Sequence, residues 1–401
     1  MPTTNSHQAL SRRQLLRRVG AAGLVLPGLA SLLAACSAPA SPTPTSPPAA
    51  AKPTTAPATA EPAAKPAGGL DQLIEGAKRE GQLNWIDVTI QQFNDDRFHG
   101  AFRKKYGLPD GFQMNHSFKA TGDLITQVQQ EVQADKVTLD YVLIGDLAFW
   151  RGLEQANALL DYTPSEIGAL DGMLKKLGFP TNPPKWETVV SYAFTPVWNR
   201  KFVTKDIKSW NDIIDPTFKD KAIQGDIRTS STQTDTYIGL RKVLGVEFFQ
   251  KYADTVNPVL IFRTPEQQQK LTSGERILTD FHLSARALQA KRDDNSLDFG
   301  VAFPTEGVVP LPIQQGVLAK APHPNAAKLF ADFMTSQEGQ QLFLDAEVQW
   351  PLRTDMTYAA DVRQFLTPLD QINAIKMDWD AITSDARDEA RAEFRRIFKV
   401  S

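Results

Sequence analysis

From residue 70 onward, apolar positions recur at two alternating periods, and the switches between them mark out elements. Residues 70–80 have the 3.6-residue spacing of an amphipathic helix that Gly81 ends. Residues 83–88 form a strand. In 123–134, Leu124, Val128 and Val132 fall on one helical face. A buried strand at 141–145 and a helix at 148–158 follow. Strands at 189–194 and 222–226 precede a long helix, 235–252, carrying Tyr237, Ile238, Leu244 and Phe248. A strand at 299–303 and a helix at 325–344, with Ala326, Leu329, Phe330 and Phe333 inward, complete the pattern. Strands separated by helices of this length indicate α/β organisation. The chain has no internal repeat and no coiled-coil heptad.

The first 68 residues follow a different pattern. Ser11-Arg12-Arg13-Gln14-Leu15-Leu16-Arg17 resembles a twin-arginine export signal, and an apolar run, 19–35, follows it. Gly20, Gly23, Pro27 and Gly28 interrupt that run, which is short beside the roughly 20 apolar residues of a membrane span. It ends in Leu33-Ala34-Ala35-Cys36, which resembles a bacterial lipobox whose cysteine is lipidated and becomes the new N-terminus. The resemblance implies a signal peptide over 1–35 and a membrane anchor at Cys36. After Cys36 the tether to residue 69 is Ala, Pro, Thr and Ser closed by two glycines, with Lys52, Glu61 and Lys65 as the only charges. Such a stretch buries too little to offset its ordering entropy. At about 3.1 Å per residue, it could reach on the order of 100 Å. It is equally a stalk of tuned length or a dispensable spacer.

Composition then narrows the class. The 401 residues are 42% hydrophobic and 22% charged, ordinary for a globular body with a sizeable core. The formal charge is −2, and four arginines sit in the first 35 residues without an acid, so the body is mildly acidic. A nucleic-acid partner would need a basic stripe to displace phosphate counterions. Cys36 is the single cysteine, so the body has no intrachain disulfide.

In the body, the opening helix and strand, Lys119-Ala120-Thr121-Gly122 and Asp140-Tyr141-Val142-Leu143-Ile144-Gly145-Asp146 come in an order that resembles the bacterial extracellular solute-binding proteins of ABC importers, of the iron/spermidine/phosphonate type. Asn199, Ser209-Trp210-Asn211-Asp212-Ile213 and Asp215-Pro216-Thr217-Phe218-Lys219-Asp220-Lys221 continue it. Pro304-Thr305-Glu306-Gly307, 323–330, 336–340, Pro351-Leu352-Arg353 and a closing helical tail, 379–398, extend it over 70–401. It implies a type II periplasmic-binding-protein fold: two α/β lobes joined by hinge strands, with a ligand in the cleft. Lobe 1 would take about 70–190 and 304–401, and lobe 2 about 193–303. It further implies a monomer that hands a small molecule to an ABC permease and its ATPase. The same head would serve a membrane sensor.

In an α/β lobe the cleft lies at the carboxyl ends of strands, where helix N-termini offer free N–H groups. This rule selects Thr89 and Gln91 after the first strand, Thr121 and Gly122 at a helix start, and Asp146 after the 141–145 strand. In the second lobe it selects Arg228, Ser230, Ser231 and Thr232, placed in a loop before a helix near Asp235. Tyr192 lies on the crossing strand, and Glu306 opens a further loop. Asp280 and His282 follow Ile277-Leu278-Thr279; they are a carboxylate and imidazole for a metal or an ordinary polar loop. Thr121 and Thr234 are equally accounted for as N-caps contributing about 1 kcal/mol each. The ferric members of the resembled group present two adjacent tyrosines, and this chain has none.

The six tryptophans from Trp150 onward are expected in core or inter-lobe packing, and Trp85, on the face of Leu83, in the core. No G-x-S-x-G, P-loop, G-x-G-x-x-G or H-E-x-x-H occurs. Asp95-Asp96 and Asp293-Asp294 read as solvated loops. The expectation is a binding protein without catalytic residues or cofactor, taking an anionic solute such as a phosphonate, phosphate ester or carboxylate. Ferric ion held with an anion is the alternative.

Overall fold

The computed structural model describes residues 69–401; the expected signal peptide, Cys36 and the tether up to residue 68 lie outside the described residues. The chain runs through α1 (Gly69–Glu80), β1 (Gln82–Asp87), α2 (Asp95–Tyr106), β2 (Gln113–Phe118), α3 (Thr121–Gln133), β3 (Tyr141–Ile144), α4 (Leu147–Gln155), α5 (Asp171–Leu177) and β4 (Glu187–Tyr192). It then enters β5 (Thr195–Asn199), β6 (Ala222–Gly225), α6 (Ser231–Leu244), α7 (Val246–Val256), β7 (Val259–Ile261), α8 (Thr264–Ser273), β8 (Leu278–His282), α9 (Ser284–Asp293) and β9 (Phe299–Val301). Next come β10 (Leu311–Val317), α10 (Pro324–Thr335), α11 (Gln337–Asp345), β11 (Trp350–Pro351), α12 (Ala360–Phe365) and α13 (Ser384–Phe398). No helix among the described residues is long and apolar enough to cross a membrane.

Two sheets result, one per lobe. The first has the order β11-β4-β10-β3-β1-β2, and the second β7-β6-β8-β5-β9. β1 pairs in parallel with β2 and β3, whereas β10 runs antiparallel between β3 and β4. β4 and β5 are buried almost throughout, as strands covered on both faces must be.

Three predicted elements differ for identifiable reasons. The long helix expected over 235–252 is two, broken at Gly245, whose φ of 77° and ψ of 166° lie outside the helical region and cost glycine little. The helix over 325–344 breaks at Ser336, which caps α11 by accepting from Gly339 N at 3.3 Å. Asp95 and Asp96, expected in a solvated loop, open α2, where acids meet the positive end of the helix dipole.

The chain passes between lobes after β4, after β9 and after β11. The last passage corrects the assignment of 304–401 to lobe 1. α12 and α13 lie on lobe 2, with Asp361 paired to Arg292 of α9 at 2.6 Å and Glu393 accepting from Tyr237 Oη and Arg241 of α6. Between them residues 373–375 run alongside the crossing at 307–308, and Trp379 meets Phe179 of lobe 1 edge-on at 6.5 Å. The closing residues are therefore a strap touching both lobes. All seven tryptophans are buried, Trp85 in the core as its strand face predicts.

Candidate functional site

A cleft of about 880 Å³ opens between the lobes. Its lobe 1 wall is the loop after β1 (Thr89, Gln91), the end of β2 with the start of α3 (Lys119 to Thr121, Asp123), Gln127 and Gln130 farther along α3, and Gln349. Its lobe 2 wall holds Ser230, Thr232 and Gln233 at α6, Arg263 to Pro265 at α8, and Leu283 and Arg286 at α9. Tyr192 and Phe194 lie where the chain crosses.

The lobe 1 loop is fixed from behind. Asp87, fully buried at the end of β1, accepts from Thr89 N at 2.8 Å and Ile90 N at 3.1 Å, a local turn set by a short acid. His116 lies between Asp87, at 3.4 Å, and Asp95, at 2.6 Å, and stacks on Trp85 with ring centroids 3.8 Å apart. Burial alone would push the imidazole pKa down; the two carboxylates hold it above its ordinary value. Buried Glu347 takes the Gln91 N–H at 2.9 Å and Asn94 Nδ2 at 2.7 Å, and desolvation pushes its pKa up to about 7. The Gln349 amide donates to the Thr89 hydroxyl.

Four helix N-termini reach the cleft. Three of them, α3, α8 and α9, have Ala120, Arg263 and Leu283 at the N-cap, none with a side-chain cap. Their first-turn N–H groups keep their positive ends for a ligand. At α6, Ser230 Oγ accepts from Gln233 N at 3.2 Å and sits 3.2 Å from the Thr232 hydroxyl. Burial raises the Tyr192 phenol to about 12, keeping it a neutral hydrogen-bonding group. Three cations, Lys119, Arg263 and Arg286, line the cleft against one acid, Asp123. Lys119 Nζ donates to Gln127 Oε1 at 2.5 Å. Arg286 donates through Nη1 to Gln289 Oε1 at 2.9 Å, its buried Nε has no partner, and among the described residues no carboxylate forms an ion pair with it. Desolvation pushes its pKa below the ordinary arginine value, and the carboxylate of Glu347 offsets this only in part.

Of the residues selected from sequence, Thr89, Gln91, Thr121, Tyr192, Ser230 and Thr232 come together on the cleft. Gly122 is exposed beside it in the first turn of α3. The remaining six lie elsewhere. Ser231 is in the first turn of α6, because that helix starts four residues before Asp235, and its buried Oγ has no partner. Asp146 caps α4 through Phe149 N at 3.0 Å and meets Arg387. Arg228 is held by Asp226, with Nη2 at 2.8 Å, and reaches the Ser401 carbonyl at 2.5 Å. Glu306 caps the turn at Ser209, accepting from Trp210 N and Asn211 Nδ2, both at 3.2 Å.

Asp280 is buried inside lobe 2, accepting from Gly225 N at 2.8 Å and Phe281 N at 2.6 Å. His282 is fully buried and its Nδ1 meets the Leu283 carbonyl at 2.8 Å. Among the described residues no group of three or more His, Cys, Asp or Glu is placed to hold a metal ion. The two threonines read as N-caps are not caps: Thr121 follows the N-cap Ala120, and Thr234 donates back to Ser230 O at 2.6 Å inside α6. Arg286, Arg263, Gln127, Gln130 and Gln349 are among the cleft residues that the sequence reading left out. Arg286 follows β8 at the start of α9, so the strand-to-helix rule reaches it when carried past His282.

The buried acids give a testable pH dependence. Burial pushes Asp280 and Glu187 up to about 8, and leaves His282 at about 3 and His99 at about 4. Raised acids keep protons that the unfolded chain releases, so their contribution falls as pH rises toward 8; depressed histidines destabilise only below about pH 6.5. Between pH 6.5 and 8 the acids act unopposed. Calorimetric midpoints should therefore drop across that interval, and Asp280→Asn should flatten the drop; a rising midpoint would contradict the burial argument.

Two lobes closing over a polar, cation-lined cleft define a binding protein, and hinge closure is the motion such a body supports. The model of the bacterial extracellular solute-binding protein family matches residues 143–384, more than half of the chain, and the chain belongs to that family. Among solved structures, the periplasmic binding protein AfuA from Actinobacillus pleuropneumoniae, with fructose-6-phosphate bound, aligns with a TM-score of 0.63 at 16% identity, over 80% of this chain and 99% of its own. Iron-bound HitA from Pseudomonas aeruginosa aligns at 0.62 and 17% identity, over 79% and 99%. An ABC transporter substrate-binding protein from Agrobacterium tumefaciens gives 0.63 at 12%, over 79% and 94%. At these identities the likeness establishes the fold alone. No curated protein sequence matches the chain.

Proposed function

We propose that the head captures a small anionic solute between its lobes and delivers it, chemically unchanged, to an ABC permease. The observation that carries this reading is Arg286: a part-buried guanidinium with an unpartnered Nε and, among the described residues, no carboxylate in ion-pair contact, on a cleft where three uncapped helix N-termini meet. Positive ends converging in a partly dry site favour an anion over a cation or a neutral sugar. The cleft volume leaves room for a body beyond the charged group. The amides of Gln91, Gln127, Gln130 and Gln349 suit hydroxyls on that body. A phosphate ester, phosphonate or carboxylate meets these requirements. In this reading the export signal directs the head across the membrane and is removed, the lipid on Cys36 then anchors it to the cell membrane, and the tether gives it reach.

Ferric ion with a bound anion is the second reading, favoured by iron-bound relatives of the same fold; Tyr192 is the one tyrosine on the cleft. Thermal-shift measurements with fructose 6-phosphate, methylphosphonate, citrate, inorganic phosphate and ferric chloride separate the two. A ligand at 100 times its Kd should stabilise by about 2.7 kcal/mol. A midpoint raised by the organic anions supports the anionic reading. A midpoint raised by ferric salt alone overturns it.

A further inference from the structure

The strap carries a charge that the cleft does not use. Arg387, on α13, is 7% exposed. Its Nε and Nη2 form a fork on Asp235 of α6, both at 2.8 Å. Its remaining arm, Nη1, reaches Asp146 Oδ2 at 3.3 Å. Asp146 is the N-cap of α4 in lobe 1, and Asp235 lies on α6 in lobe 2, one turn beyond the cleft residue Thr232. Among the described residues Arg387 is the one guanidinium paired with carboxylates of both lobes. The surroundings are tight: Gly145, Pro312, Thr232 and Arg387 line a void of only about 10 Å³, and a Cβ on Gly145 would lie 2.8 Å from the Pro312 carbonyl oxygen. A void of that size is marginal for one water, so solvent does not readily replace the arginine.

The two attachments are unequal. The bidentate fork to Asp235 is the stronger, geometrically matched contact; the single arm to Asp146 is longer. A relative movement of the lobes therefore breaks the Asp146 arm and leaves α13 fastened to lobe 2. We infer that Arg387 is a positioning residue, a latch by which the C-terminal strap holds the two lobes close and so sets the resting width of the cleft. It touches no ligand and acts through α4 and α6. It goes beyond the capture role, drawing on it only for the consequence that a wider resting cleft binds solute more weakly.

The test measures the lobes without any solute, so its failure is distinct from failure of the anionic reading. In the full chain carrying Cys36→Ser, spin labels on Gln129→Cys in α3 and Glu266→Cys in α8 report the inter-lobe distance by pulsed electron resonance. Asp146→Asn removes the charge of the lobe 1 arm and keeps an oxygen for the Phe149 cap, so folding is preserved. The expected result is a longer and broader distance distribution for Asp146→Asn and for Arg387→Met. Asp226→Asn, which frees Arg228 within lobe 2, should leave it as in the parent. If Arg387→Met fails to fold, Asp146→Asn still decides. An Asp146→Asn distribution equal to the parent's, or shifted to shorter distances, overturns the latch.

Discussion

Replacing Arg286 with methionine is expected to weaken capture of an anionic solute drastically while leaving the fold as stable as before or more so. Removing one partner of a desolvated charge pair costs about 2–5 kcal/mol, or roughly 30-fold to several thousand-fold in Kd. In the free protein, however, Arg286 has no carboxylate within ion-pair distance, and its Nε is unpartnered. Its partial burial, offset only in part by the more distant Glu347, is a standing cost, and methionine keeps the apolar stem while removing the charge. Titration calorimetry with whichever anion raises the parent's melting midpoint, together with the midpoint of the variant, checks both halves. A structural arginine would lose stability first; unchanged affinity would take Arg286 out of the site. Arg228→Ala supplies the contrast, since Asp226 and the Ser401 carbonyl already occupy that guanidinium and the affinity should stay near the parent's.

The second large effect is expected at Trp85. Its side chain is fully buried, stacks on His116 and packs against Phe330 with centroids 5.0 Å apart. Trp85→Ala should cost about 3–5 kcal/mol, the range for emptying a large aromatic site, measured as a lowered denaturant midpoint at unchanged slope. The loss should extend to binding. His116, stacked on Trp85, also steadies Asp87, and Asp87 holds the Thr89 loop. A variant that lost stability but kept full affinity would show that the loop is held independently of the ring.

The fold was readable wherever one period dominated a window. It was obscured where charges crowded an apolar stripe, as in α2: Phe98, Phe102 and Tyr106 recur every four residues and are buried, but Asp95, Asp96, Arg97 and three basic residues near its end dilute the signal. It was also obscured where two helices of similar amphipathicity abut, since nothing but Gly245 interrupts the pattern between α6 and α7. The strand-end rule found the loops that line the cleft more often than the side chains that line it. It says which end of β8 faces the cleft, but not that Asp280 and His282 turn into the interior of lobe 2. Arg228 was selected on the company of hydroxyls, and Arg286 was not considered. The better signal was the nearest acid: Asp226 is two residues from Arg228, whereas Arg286 sits among Ala285, Ala287 and Leu288 with no acid closer than Asp280, six residues before it.

The placement of β10 bears on how the chain is made. Its residues, 311–317, lie between β3 and β4, both of which leave the ribosome far earlier. Until that segment emerges, the sheet of lobe 1 stands as two separated fragments with open hydrogen-bonding rims, the kind of surface that invites pairing with a neighbouring chain. Neither half of the molecule is a contiguous stretch of sequence, so synthesis cannot finish one before starting the other. The lobe 1 sheet therefore cannot close until 311–317 have emerged, and lobe 2 lacks the cover of α13 until 384–398 follow.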